Sequence, residues 1–158
     1  MKSKISYSRF ANILTAIVSG VLFVACIATV REEPTFLILL AIYLVLFVSI
    51  LFFGAAYIKA DSNYIVLGSL LRGKKIPMSD VESVELFKPG SGAIRVCGSG
   101  GFMGYWGIFR ETGIGKYYAF YGKSSDCFLV SLNNGKTYLL GCNQPEQMVE
   151  YIKSQIRK

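Results

Sequence analysis

Two groups of residues in this sequence have types and spacing that could serve chemistry. Arg72, Lys74 and Lys75 place three cations within four positions, a density suited to an anionic headgroup or an anionic surface. Nine of the 16 glycines fall between positions 90 and 115, which invites comparison with loops whose backbone amides cradle phosphate. The comparison fails in detail. A dinucleotide fingerprint needs G-x-G-x-x-G opening a helix, whereas Phe102, Tyr105, Trp106 and Phe109 continue an aromatic, strand-like run. A Walker loop needs G-x-x-x-x-G-K-[ST], but Gly115-Lys116 is followed by Tyr117, and Arg110 stands where the first glycine belongs. Gly98, Gly100, Gly101, Gly104 and Gly107 are therefore read as a sharp turn, a bulge or a close backbone approach. The alternative is that Phe102-Met103-Gly104-Tyr105-Trp106 forms an exposed aromatic tip touching lipid or a partner, a setting that suits Tyr and Trp.

Other chemistries find no residues to carry them. Histidine is absent, which removes His-based acid–base catalysis and His-containing zinc sites. Cys26, Cys97, Cys127 and Cys142 include no C-x-x-C pair and read as small hydrophobes in a reducing compartment. Asp61, Asp80, Glu82, Glu85, Glu111, Asp126, Glu146 and Glu150 are scattered without metal-like spacing, and no nucleophile has a visible base. No catalytic residue, metal or cofactor is expected, and the chain is expected not to be an enzyme.

The elements that must position these residues begin with a membrane anchor. Of the 158 residues, 53% are hydrophobic, and the excess is concentrated at the N-terminus. Residues 10–30 and 36–58, runs of 21 and 23 positions, carry no charge; each is long enough to cross about 30 Å of hydrocarbon as a helix. Only Arg31-Glu32-Glu33-Pro34-Thr35 separates them, so they should pack as an antiparallel pair, with Ala16, Gly20, Ser49 and Gly54 permitting close approach. No ionisable residue within either span marks an ion or proton pathway. Lys2, Lys4 and Arg9 precede the first run and Lys59, Arg72, Lys74 and Lys75 follow the second. By the positive-inside rule, both ends are expected in the cytoplasm. The competing reading is a cleaved signal segment, since Phe23-Val24-Ala25-Cys26 approximates a lipoprotein cleavage box. The expected organisation is a basic tail at residues 1–9, a transmembrane helical hairpin at 10–58 and a cytoplasmic domain at 59–158.

Beyond the spans the hydrophobic period changes. Residues 63–67, 81–87, 117–121, 128–132 and 137–140 read as strands, with Gly73 in a turn, a bend at 77–80 and Asn133-Asn134-Gly135 as a tight type I′ hairpin. Arg72, Lys74 and Lys75 fall in the first inter-strand turn. The end is helical: Pro145 suits a first turn, Met148, Val149, Ile152 and Ile156 share a face, and Lys153, Arg157 and Lys158 complement the helix dipole. The fold class is α+β: a two-helix hairpin, then a bent antiparallel sheet or partly open barrel closed by an amphipathic helix. Residues 59–63 would tether the domain within about 17 Å of the surface.

From about residue 63 to 156 the chain resembles the bacterial pleckstrin-homology-like (PH-like) domain family, particularly its small membrane-anchored members. The likeness rests on Ile76-Pro77-Met78-Ser79-Asp80-Val81, on Ile94-Arg95-Val96-Cys97-Gly98-Ser99-Gly100-Gly101-Phe102-Met103-Gly104-Tyr105-Trp106-Gly107, on Gly115-Lys116-Tyr117-Tyr118-Ala119 and on Gln144-Pro145-Glu146 opening a helix. It implies a PH-like barrel and membrane association, with a bacterial inner membrane as the location, places a headgroup-binding loop at Arg72, Lys74 and Lys75, and carries over no catalytic residue. The expected function is a non-catalytic binding or assembly module at the membrane surface; the alternative is a subunit that assembles a membrane complex without recognising headgroups. Expected partners are the bilayer, anionic headgroups, and a second copy or another membrane protein, with no nucleic acid.

Overall fold

Ser8 starts the first helix by accepting the Ala11 amide on its hydroxyl at 3.1 Å. Helix α1 spans Arg9–Ala28 and α2 spans Glu33–Phe53, the latter opened by a proline in its first turn. The computed structural model describes residues 1–90 and 92–156. Both helices are long and apolar enough to cross a membrane, and Ala11 alone of their residues is fully buried by the rest of the chain.

The second apolar run leaves the helix earlier than its lack of charge suggests. Gly54 caps α2, its amide donating to the Ile50 carbonyl at 2.9 Å, and Tyr57–Ala60 forms β2. The Ala56 amide already pairs with Gly68 at 3.0 Å, and Ile58 is fully buried. Ile58 thus belongs to the domain core and not to the span, and residues 59–63 are no slack tether. The N-terminal tail is also part of the sheet: β1, Lys2–Lys4, lies antiparallel to β2 with Lys2 opposite Lys59 and Lys4 opposite Tyr57. Because β1 precedes α1 and β2 follows α2, this pairing holds the outer ends of the two helices together.

Strands β3, Tyr64–Gly68, and β4, Gly73–Pro77, complete a four-stranded sheet in the order β1-β2-β3-β4. The second sheet uses β5 (Val81–Leu86), β6 (Ile94–Gly101), β7 (Gly104–Glu111), β8 (Gly115–Tyr121), β9 (Cys127–Leu132) and β10 (Thr137–Gly141). Its order is β5-β9-β10-β8-β7-β6. The α+β expectation holds, with two open sheets in place of a closed barrel. One pairing departs from the antiparallel expectation: β10 inserts between β9 and β8 and runs parallel to β8. The turn at Asn133-Asn134-Gly135 does form a hairpin, but only Gly135 has positive φ, at 75°. The loop therefore runs longer than a two-residue type I′ turn, with Leu132 and Lys136 joined amide to carbonyl.

Alternation along the central strands buries both faces of the six-stranded sheet. Phe120, Phe128, Val130 and Leu140 face Ile58, Ile65, Leu67 and Ile76 of the other sheet. Tyr117, Ala119, Tyr121, Leu129 and Leu139 form a second cluster on the opposite face. Helix α3, Pro145–Ile156, closes the first core with Met148, Val149 and Ile152. Lys153 stands in its last turn; Arg157 and Lys158, expected to help there, lie outside the described residues.

Candidate functional site

The basic cluster is reorganised by a strand that its composition hid. Lys74 and Lys75 lie on β4, not in the turn, so pleating sends them to opposite faces. Lys74 Nζ sits 4.4 Å from the Tyr118 ring centroid and 4.7 Å from that of Tyr138. Lys75 Nζ lies 5.6 Å from the Tyr64 ring. Arg72 remains in the turn and holds its guanidinium 5.8 Å from the Phe53 ring. Arg72 and Lys74 therefore converge, and Lys75 does not join them.

They converge on a cavity of about 300 Å³ lined by Phe52, Phe53, Ser69, Arg72, Lys74 and Tyr118. Its position follows from the β3–β4 turn. The Leu71 amide donates to the Leu51 carbonyl at 3.0 Å and the Ser69 amide to the Arg72 carbonyl at 2.7 Å, which fastens the turn to the last turn of α2. Leu70 and Leu71 are 67% and 63% exposed there, two leucines projecting beside the end of an apolar helix. Among the described residues no carboxylate lies within 4.0 Å of Arg72 or Lys74; the ion pairs are Lys59 with Asp61 and Lys123 with Asp126. Burial raises the Tyr118 hydroxyl pKa, and the Arg72 charge opposes that rise. The cavity thus has two unneutralised cations against aromatic walls, a setting that favours an anion and also steadies the cations by cation–π contact.

The glycine-rich segment is a hairpin, β6 with β7, and no helix follows it. Gly98 and Gly107 face each other with φ of 116° and 117°. A Cβ on Gly98 would strike the Trp106 carbonyl oxygen and come within 2.8 Å of the Gly107 Cα; one on Gly107 would strike the Cys97 carbonyl oxygen. Gly101 and Gly104 close the turn around Phe102 and Met103. Gly100 has no positive φ and lies beside the Arg95 side chain. Close approach and a sharp turn thus account for this cluster. The aromatic tip is not free: Trp106 stacks on Phe53 at 5.5 Å, Tyr105 stacks on Tyr121 at 4.8 Å, and Phe102 is half-buried at the edge of a gap lined by both helices. The Trp106 Nε1 is enclosed without an acceptor among the described residues.

Among the described residues, the remaining carboxylates and thiols assemble no reaction centre. Glu111 is occupied, accepting from the Gly90 amide at 2.6 Å and from the Tyr117 hydroxyl at 3.4 Å. The Cys127 and Cys142 thiols are buried, and burial pushes both pKa values up, which keeps them protonated and unreactive. No cluster of Cys, Asp or Glu among the described residues could hold a metal ion.

Ser69, Phe52, Phe53 and Tyr118 were not singled out from the sequence. Their link to Arg72 depends on the end of α2 meeting the β3–β4 turn, a contact that no local pattern encodes. No curated protein and no solved structure matches this chain. Residues 56–156, well over half of it, match the family described as bacterial PH domain, whose members are generally non-catalytic binding modules. The match opens at the last residue before β2 and closes with α3, so it covers both sheets except β1, and the chain belongs to the bacterial PH domain family.

Proposed function

We propose that this chain is a non-catalytic binding module held on the cytoplasmic face of a membrane by α1 and α2, and that it binds an anionic lipid headgroup in the Arg72–Lys74 cavity. The observation that carries the reading is the convergence of two unpaired cations on an aromatic-walled cavity at the end of an apolar helix. Leu70 and Leu71 would enter the acyl boundary and leave Arg72 and Lys74 level with lipid phosphates. The cytoplasmic orientation is supported by the cations of β1, β2 and β4 lying on one side of the spans, against Arg31 alone in the connection.

The test uses the full chain in neutral detergent micelles, titrated with short-chain phosphatidylglycerol, short-chain phosphatidylcholine or inorganic phosphate. Emission from Trp106, the single tryptophan, reports through its stack on Phe53. Phosphatidylglycerol should bind with salt-sensitive affinity. Arg72→Ala and Lys74→Ala should each weaken it about fivefold, the equivalent of roughly 1 kcal/mol per cation, while Lys75→Ala leaves it unchanged. Equal binding of the two lipids at low salt would end this reading, and binding of phosphate alone would reassign the site to a soluble anion.

A specific observation favours the second reading, assembly without headgroup recognition. β6 is an edge strand with Ile94 and Val96 exposed at 68% and 59%, a surface open to strand addition. A defined oligomer that Ile94→Lys dissociates, in a chain indifferent to lipid charge, would select it.

A further inference from the structure

We propose that the β6–β7 hairpin is a third membrane-embedded element, its Gly101–Gly104 turn entering the hydrocarbon layer alongside α1 and α2, with acyl chains covering the side the helices leave open. The inference rests on the reading of α1 and α2 as membrane spans.

Depth is the first argument. The helices have 20 and 21 residues, about 30 Å each at 1.5 Å per residue, which matches the hydrocarbon thickness without slack. Arg9 and Phe53 must then stand at its boundary on the domain side. The Met103 amide donates to Thr15 Oγ1 at 2.9 Å, six residues or about 9 Å below Arg9. Phe102 lines a narrow gap with Ser19, Leu22, Tyr43, Leu46 and Phe47. Ser19 and Tyr43 are each ten residues from the domain-side end of their helix, about 15 Å deep. No membrane position that buries both helices leaves Phe102 and Met103 in water.

The turn is also built for hydrocarbon, where every unpaired backbone group is costly. Ser99 Oγ donates to the Phe102 carbonyl at 2.7 Å, the Met103 amide is satisfied by Thr15, and Thr15 Oγ1 donates onward to the Ala11 carbonyl at 2.7 Å. Residues 96–109 carry no charge; Arg110 stands at the opposite end of the hairpin, whereas the Arg95 side chain runs back along it to Gly100 and lines a cavity with Val18, Ser49 and Phe102, a reach that lets its guanidinium snorkel towards the headgroups. Glycine lets the hairpin lie flush on α1: a Cβ on Gly101 would stand 3.0 Å from both Leu14 and Phe10, and one on Gly104 would stand 2.9 Å from Tyr7. Small residues serve the same close approach between transmembrane helices. Trp106, stacked on Phe53 at the end of α2, falls at the interfacial level that tryptophan favours. A domain so docked has a fixed orientation on the bilayer.

Depth-resolved quenching tests this in the full chain, reconstituted in phosphatidylcholine vesicles containing lipids brominated at known positions. Trp106→Phe/Phe102→Trp places the sole tryptophan at the turn, and Trp106→Phe/Phe47→Trp places it on α2 at a similar depth. Both should be quenched most by deeply brominated chains and neither by aqueous iodide, while wild-type Trp106 should be quenched most by shallow bromines. Iodide quenching at position 102 with deep bromine quenching at position 47 overturns the inference and leaves the spans intact. Iodide quenching at both positions overturns the spans and the inference together. Should the Phe102 variant fail to fold, Met103→Cys in a Cys97→Ala background gives an independent reading. A charged maleimide should leave it unlabelled in intact vesicles, where hydrocarbon keeps the thiol protonated, and should label it once detergent and denaturant expose it; rapid labelling in intact vesicles overturns the inference.

Discussion

Gly98→Ala isolates the steric reason for the glycine cluster, because Gly113→Ala supplies its control. Gly98 has φ of 116° and Gly113 φ of 100°, so an alanine at either position is strained by its backbone conformation, at about 1–2 kcal/mol. The surroundings differ. A Cβ on Gly113 would meet nothing within 4 Å, whereas one on Gly98 would collide with the Trp106 carbonyl and approach the Gly107 Cα to 2.8 Å. Those neighbours are backbone atoms of a paired strand and cannot rotate aside, so forced separation adds roughly 1–3 kcal/mol of overpacking. Gly98→Ala should therefore cost about 2–5 kcal/mol. For a domain of about 100 residues, each kcal/mol lowers Tm by roughly 4–8 °C. Thermal unfolding of the full chain in detergent, followed by Trp106 emission, should show a fall of about 4–16 °C for Gly113→Ala and about 8–40 °C for Gly98→Ala. Equal losses at the two positions would refute the cross-strand clash and leave glycine's conformational freedom as the whole explanation.

Ile58→Ala, in a side chain with no exposed surface, should cost about 2–5 kcal/mol; Val45→Ala, on a residue of α2 that is 65% exposed, should leave the domain's unfolding unchanged. Similar small effects at both positions would place Ile58 back in the span. Alkaline titration should show the effect of burying Tyr117, whose pKa is pushed up to about 12, first by burial and then by the charge of Glu111. The unfolded side chain ionises near pH 10 and the folded one later, so the stabilisation is complete below about pH 10 and is lost as pH rises towards 12. Tyr117→Phe should make the midpoint's alkaline fall shallower, and an unaltered fall would remove Tyr117 as a cause. Thiol labelling of the native chain should reach exposed Cys97 and spare Cys127 and Cys142 until the domain is denatured.

The parts of the fold legible in the sequence are those whose neighbours lie close along the chain. Two charge-free runs announce α1 and α2, and the 3.6-residue recurrence of Met148, Val149 and Ile152 announces α3. Elements defined by distant partners were hidden. β1 has three residues, and its hydrogen-bonding partner lies beyond both helices. β4, Gly-Lys-Lys-Ile-Pro, buries Ile76 alone, because its other side chains line an edge and a cavity rather than a core, so its alternation is too weak to read. β2 merges with the second apolar run because Tyr57 and Ile58 suit a span as well as a core strand. The same mechanism limited the candidate site: Lys74 and Lys75 read as one cluster until β4 separated them, and Tyr118 and Tyr138 flank Lys74 together because β8 and β10 pair in parallel with those two residues in register.

The pairing of β1 with β2 also bears on whether α1 could be a removable leader. Cleavage near Ala25-Cys26 would take more than an anchor. It would strip β1 from the four-stranded sheet and expose the outer edge of β2. It would remove Ile5 from the main core, the bond from the Tyr7 hydroxyl to the Ala55 carbonyl at 2.6 Å and the Thr15 hydroxyl that satisfies Met103. Gly101 and Gly104, held close to Phe10, Leu14 and Tyr7, would lose the surface their missing side chains accommodate. A signal segment has no use for such contacts, since it is gone when the domain acquires its final packing. Contacts made by the tail, by α1 and by the hairpin turn converge on one arrangement, in which the first helix packs as a member of the domain and the four-stranded sheet is completed only when the chain returns from α2.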